Sequence, residues 1–128
     1  MIYVETSVVV AQILAEDRCP PAGLWKETLV SSRLTQYEVW TRVLARGLGA
    51  SHSESVRLLL GRLGFLELTP DVLARALEPW PVAVRTVDAL HLASMEFLRA
   101  HGQHVALASY DERIIDAARR LSIPLFPL

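Results

Sequence analysis

The chain has 128 residues, of which 52% are hydrophobic, and its formal net charge is −1. So apolar a composition excludes a disordered protein, and the near-neutral charge excludes the basic type of nucleic-acid-binding domain. Because Cys19 is the only cysteine, an internal disulfide is excluded. No apolar run reaches the ~20 residues of a membrane span, and no signal peptide is evident. We therefore expect one domain over residues 1–128, in the cytoplasm and without a membrane partner.

The first half of the chain is predicted to alternate short apolar strands with helices. Each helix is expected to begin at a Ser or Thr whose side chain can accept a hydrogen bond from a free backbone N–H group. In order, we predict a strand at 1–4, a helix at 8–15 capped by Thr6 or Ser7, a proline-rich loop at 17–23, a strand at 28–31, and a helix from a Thr35 cap to Gly47.

The second half continues the same alternation. Pro70 suits the first position of a helix capped by Thr69, and Gly102 is a good stop for a long helix. In order, we predict a helix opened by Ser51 or Ser53, a strand at 65–68, a helix from Thr69 to about 78, a helix at 86–100, a strand at 104–108, a helix capped by Asp111, and a strand at 124–126.

The strands are continuously apolar and do not alternate with polar residues. This pattern is typical of a parallel sheet that is covered on both faces. We therefore predict an α/β fold with three layers, in which helices flank a short, mostly parallel central sheet. Ligands of such sheets bind at the carboxyl ends of the strands, so residues that follow the strands are the first candidates for a site.

Four carboxylates are the candidate catalytic residues: Glu5, Glu38, Asp88 and Asp111. Glu5 and Asp111 come shortly after predicted strands, so they fall at the carboxyl edge of the sheet. If all four converge, bound cations are needed to offset the repulsion between their negative charges. Mg²⁺ and Mn²⁺ are suited to this, because they are hard ions that prefer oxygen ligands. Such a pocket indicates metal-assisted chemistry on phosphate esters.

Each of these acids also has an ordinary explanation that the residues leave open. Asp88 and Asp111 can simply cap helices, where the helix dipole favours a carboxylate. Glu38 can belong to a solvated ion-paired stripe with the arginines that follow at i+4 and i+8. His91 lies three residues after Asp88 on the same helical face, and a half-buried, hydrogen-bonded histidine is favoured over a metal ligand.

Four segments in this order resemble the PIN domains, in particular the VapC-type ribonuclease toxins of toxin–antitoxin pairs. The resemblance covers essentially the whole chain, and its strongest segment reads Arg-Thr-Val-Asp-Ala-Leu-His-Leu-Ala. The four segments are Met1–Ser7, Leu34–Val39, Arg85–Ala93 and Ser109–Asp111, the last followed by 117–119 and 123–125.

The resemblance implies a metal-dependent endoribonuclease with a PIN-like fold that hydrolyses RNA phosphodiester bonds and is neutralised by a VapB-like antitoxin. Glu5, Glu38, Asp88 and Asp111 would form the acidic quartet, with Mg²⁺ or Mn²⁺ held by Glu5, Asp88 and Asp111. Thr6, Ser7 and Ser109 would support these acids or touch the substrate. The arginines expected at the rim of the pocket are Arg42, Arg46, Arg85 and Arg113.

Two alternatives depend on single residues. Glu5 stands where members of the family usually carry Asp, which keeps open a catalytically weak or silent module that binds antitoxin or RNA without cutting. A phosphoacceptor receiver domain would need a late lysine, but the only lysine is Lys26.

A homodimer is also expected, with Trp25, Trp40, Leu44 and Leu48 forming either its interface, an antitoxin groove or ordinary core.

Overall fold

A computed structural model describes all 128 residues, and at its centre is a four-stranded sheet with the strand order β3-β2-β1-β4. Every neighbouring pair of strands is parallel. The predicted α/β fold with a parallel central sheet is therefore confirmed. The strands are β1 (Ile2–Val4), β2 (Leu29–Ser32), β3 (Gly64–Leu66) and β4 (Ala106–Ala108).

Six helices and one short 3₁₀ turn, at Leu24–Lys26, connect and flank the strands. None of the helices combines the length and the apolar character that crossing a membrane requires. The helices are α1 (Thr6–Leu14), α2 (Arg33–Ala45), α3 (Gly49–Leu60), α4 (Pro70–Ala76), α5 (Thr86–Ala100) and α6 (Glu112–Arg120).

The core consists of two apolar clusters, one on each face of the sheet. Successive residues of a strand point to opposite faces, so Ile2 and Val4 join one cluster with residues of α1, α2 and α3. Tyr3 joins the other cluster with residues of α5 and α6. The three predicted layers follow directly from this alternation along β1.

The first three helices begin earlier than predicted, and for α1 and α2 the reason is that a residue at the end of the preceding strand already acts as the cap. Glu5 caps α1 in place of Thr6 or Ser7, and Ser32 caps α2 by accepting a hydrogen bond from Leu34 N. Helix α3 begins at Gly49, ahead of the predicted serine caps. The predicted caps Thr69 and Asp111 are confirmed.

The predicted last strand is reduced to a single bridge between Leu125 and Leu107. Leu107 N donates to Pro124 O, and Phe126 N donates back to Leu107 O, both at 2.8 Å. The pairing does not extend back towards Val105, because Pro124 has no N–H group to donate. Strands β3 and β4 are also shorter than their predicted ranges.

Candidate active site

The four candidate carboxylates line one cavity of about 390 Å³. Glu5 directly follows β1, and Asp111 lies three residues after β4. Glu38 comes from the second turn of α2, and Asp88 from the first turn of α5. The cavity therefore lies at the carboxyl edge of the sheet, where the fold class predicts a site.

Three of the four candidate arginines lie on the same cavity. Arg42, Arg85 and Arg113 are among its lining residues. Arg46 is not, because it follows the last turn of α2 and points to Glu16, at 3.9 Å between Nη2 and Oε1, with both side chains about half exposed. The structure thus places Arg46 outside the candidate site.

Glu5 is held rigidly at the junction of β1 and α1. It is only 4% exposed, and its Oε2 accepts hydrogen bonds from Ser7 N at 3.0 Å and Ser109 Oγ at 2.9 Å. The Ser7 hydroxyl donates to the same oxygen, and Tyr110 N donates to Ser7 Oγ at 2.9 Å. Ser7 and Ser109 therefore fix this carboxylate and join the ends of β1 and β4.

Glu38 is bound by two buried partners and is not part of a solvated ion-paired stripe. Its Oε1 accepts hydrogen bonds from Thr6 Oγ1 and from His91 Nε2, each at 2.7 Å. Burial acts to raise the pKa of Glu38, but the hydrogen bonds from His91 and Thr6 and the charge of Arg42 outweigh it and hold that pKa below its usual value. Glu38 is therefore ionised at neutral pH.

Asp88 and Asp111 cap helices and also line the cavity. Asp88 Oδ2 accepts from Arg85 N at 3.1 Å, and Asp111 Oδ1 accepts from Arg113 N at 3.0 Å. The Arg113 Nε atom lies 3.9 Å from the former oxygen and 3.8 Å from the latter. These distances exceed the hydrogen-bond range, so the guanidinium pairs only loosely with both acids.

The four acids share one arrangement: a single oxygen of each makes all its hydrogen bonds to the protein. The second oxygen accepts none, and it is not among the buried unsatisfied atoms, which comprise Arg75 Nη1 alone. Each second oxygen is therefore accessible from the cavity. The free oxygens are Glu5 Oε1, Glu38 Oε2, Asp88 Oδ1 and Asp111 Oδ2.

This donor set fits a hard divalent cation. Carboxylate oxygens are the ligands that Mg²⁺ and Mn²⁺ prefer. No group of three acidic, histidine or cysteine side chains is drawn together as a preformed metal cage. Mg²⁺ does not need such a cage, because it retains several waters and is commonly held by one or two protein carboxylates. The cavity is thus suited to a hydrated ion.

The sequence gives only a weak indication that His91 belongs to the candidate site, and none that Tyr3 contacts it. His91 is fully buried, in contrast to the predicted half-buried position, although its predicted hydrogen bonding is present. Its spacing of three residues from Asp88 places it on the cavity side of α5. Tyr3 reads as an ordinary apolar strand residue, yet its Oη lies 2.7 Å from His91 Nδ1.

Relatives of known sequence match nearly the whole chain. Ribonuclease VapC47 of Mycobacterium tuberculosis is 29% identical over 128 residues, which cover 94% of this chain and 92% of the relative. Ribonuclease VapC46 of the same species is 31% identical over 125 residues, which cover 95% of this chain and 93% of the relative.

A solved structure and a family model agree with these relatives. The crystal structure of Mycobacterium tuberculosis VapC20, a Sarcin-Ricin loop cleaving toxin, matches 91% of this chain and 95% of its own with a TM-score of 0.68. At 20% identity this match supports the fold alone. The PIN domain model matches residues 2–120. The chain belongs to the PIN-domain family.

Proposed function

We propose that this chain is a metal-dependent endoribonuclease, the toxin of a toxin–antitoxin pair, which hydrolyses RNA phosphodiester bonds. The observation that carries the proposal is the cavity in which four carboxylates each present one free oxygen. Membership of the PIN-domain family and relatives named as ribonucleases support the same reaction. These relatives favour the cutting enzyme over the silent module.

The proposed roles follow from the hydrogen bonds of each acid. Glu5, Asp88 and Asp111 would hold the ion, and Glu38 adds the fourth negative charge. A bound divalent ion supplies Lewis-acid chemistry there, since it lowers the pKa of a water molecule and neutralises charge on a phosphate. Mg²⁺ is the expected ion, with Mn²⁺ as its substitute.

Side chains around the acids fix them and attract the substrate. Ser7 and Ser109 hold Glu5, and Thr6 holds Glu38, so these hydroxyls keep the free oxygens directed into the cavity. Arg42 and Arg85 at the rim are suited to RNA phosphates, because a guanidinium matches phosphate oxygens as a fork.

A VapB-like antitoxin is proposed to block the cavity with an inserted arginine, the strong bidentate partner of carboxylates. Arg113 supports this, since its guanidinium already lies within 4 Å of both Asp88 and Asp111. A cytoplasmic setting suits RNA and antitoxin alike.

The homodimer stays a prediction: of the side chains considered for it, only Leu44 is largely exposed, whereas Trp25, Trp40 and Leu48 pack against the core.

The first test is cleavage of total cellular RNA by the purified protein with Mg²⁺, with Mn²⁺ and with EDTA, beside the variant Asp88→Asn. Asn keeps an oxygen that can accept from Arg85 N, so the start of α5 is retained while the charge is lost. We expect cutting with either metal, none in EDTA, and at least a roughly 100-fold loss in the variant. Calorimetric titration with Mn²⁺ should show weaker binding to the variant.

Asp116→Asn is the matched control, because this acid lies on the exposed side of α6, where it pairs with Arg120 at 3.6 Å. It should cut RNA and bind Mn²⁺ as the wild type does. Cleavage that survives EDTA, or that Asp88→Asn leaves unchanged, would contradict the proposed function.

A further inference from the structure

A buried chain of hydrogen bonds leads from the sheet to Glu38. The Oη atom of Tyr3, on β1, lies 2.7 Å from Nδ1 of His91, on α5. On the other side of the ring, Nε2 lies 2.7 Å from Glu38 Oε1. Tyr3 and His91 are both 0% exposed. Protein atoms, and not water, therefore hold the imidazole at both nitrogens.

Glu38 and the backbone together set the direction of the protons in this chain. Ser32 N donates to Tyr3 Oη at 3.2 Å, and the hydroxyl proton of Tyr3 remains available for donation to His91 Nδ1. The ionised Glu38 can only accept, so Nε2 carries the proton of that hydrogen bond, and in a neutral His91 the Nδ1 atom then accepts from Tyr3.

The same carboxylate oxygen of Glu38 also accepts from Thr6 Oγ1 at 2.7 Å. Oε1 is thus held from α1 and from α5 together, and the carboxylate cannot rotate without breaking two buried hydrogen bonds. Oε2 is left facing the cavity.

We propose that Tyr3 and His91 are positioning residues, in which Tyr3 holds the His91 ring at Nδ1 and His91 fixes the orientation of Glu38. This inference rests on the proposed function of the cavity for its effect on cleavage. Neither side chain lines the cavity, so both would act through Glu38 and not on the substrate.

The tautomer is tested by long-range ¹H–¹⁵N NMR of the histidine rings in the intact protein, which needs no RNA. In the wild type we expect His91 to carry a proton on Nε2 and none on Nδ1. Tyr3→Phe removes only the hydroxyl that contacts His91 Nδ1 and should shift the Nδ1 resonance, because that nitrogen loses its hydrogen-bond donor. Tyr37→Phe is the matched control, because Tyr37 is 66% exposed and adjoins Glu38 in sequence, and it should leave the His91 signals unchanged.

The effect on catalysis is measured as single-turnover RNA cleavage. Tyr3→Phe should lower the rate constant at saturating enzyme by roughly 10-fold or more, with the half-saturating enzyme concentration little changed, because a misplaced catalytic group slows the chemical step and not binding. In a Glu38→Gln background the same substitution should change the rate by less than about 2-fold, because the two residues act in one chain.

Two results would overturn the inference: a wild-type His91 that carries a proton on Nδ1, or an equal fold-loss from Tyr3→Phe in both backgrounds. The wild-type spectrum decides the first even if the variant fails to fold. A wild type that binds Mn²⁺ but cuts no RNA counts against the proposed function, and the NMR result then decides the tautomer by itself.

Discussion

At the scale of single residues, Glu5 shows how a longer side chain can occupy a helix cap. Its Oε2 reaches Ser7 N, as the acid of a cap does, and also the Ser109 hydroxyl beyond β4. The additional methylene is therefore used to bridge two strand ends. Because three donors hold one oxygen, the other keeps a fixed position in the cavity.

Substituting this residue distinguishes the cutting enzyme from the silent module. Glu5→Asp draws the carboxylate back by about 1.5 Å, away from Ser109, and should lower metal-dependent cleavage by roughly 10- to 100-fold. Glu5→Gln keeps the length but removes the charge, and should abolish cleavage and weaken Mn²⁺ binding in calorimetry. If Glu5→Asp instead raised cleavage, the wild-type site would be impaired and the silent module would be the better description.

At the scale of elements, the junction of β2 and α2 decides where Glu38 points. Ser32 ends the strand and caps the helix, with Oγ accepting from Leu34 N at 3.1 Å. Thr35, the predicted cap, is instead buried one turn into the helix and accepts from Ser31 Oγ at 2.7 Å. Both residues can accept hydrogen bonds, so cap propensity alone does not distinguish them. The extended backbone of Ser32 identifies it as the cap.

Loss of this cap should cost more than loss of an exposed one. Ser32→Ala is expected to lower the free energy of unfolding by about 1–2 kcal/mol, the upper part of the range for N-caps, because the site is fully buried. Thr69→Ala, the matched control at the exposed start of α4, removes a longer bond of 3.4 Å and should cost about 0.5 kcal/mol. Urea unfolding measures both, and equal losses would contradict this ranking.

At the scale of the whole molecule, β1 belongs to both apolar clusters, because its alternate residues face opposite sides of the sheet. Neither cluster can form fully without the strand that they share. The prediction of one domain over residues 1–128 therefore implies that both clusters unfold in a single transition.

The three tryptophans report on the two clusters separately. Trp25 and Trp40 pack against one cluster and Trp80 against the other. In a chain with Trp25→Phe and Trp40→Phe, the fluorescence of Trp80 and the far-UV circular dichroism should show the same urea midpoint, as expected for one cooperative unit. The single substitutions serve as controls, and midpoints that differ would mean that the two faces unfold independently.

The sequence by itself determined the order of the strands and helices, the parallel sheet and the caps at Thr69 and Asp111. These features depend on apolar periodicity and on residues a few positions apart, which are visible along the chain. The sheet topology also brought Glu5 and Asp111 to one edge, because the carboxyl ends of parallel strands meet there.

Only the tertiary structure decided how the acids are held. Tyr3 meets His91 across 88 positions, and Ser109 meets Glu5 across 104. Arg42 lies on the cavity while Arg46, four residues later at the end of α2, faces Glu16. Such contacts depend on how helices pack on the sheet, and no pattern of neighbouring residues encodes the distance between side chains so far apart in sequence.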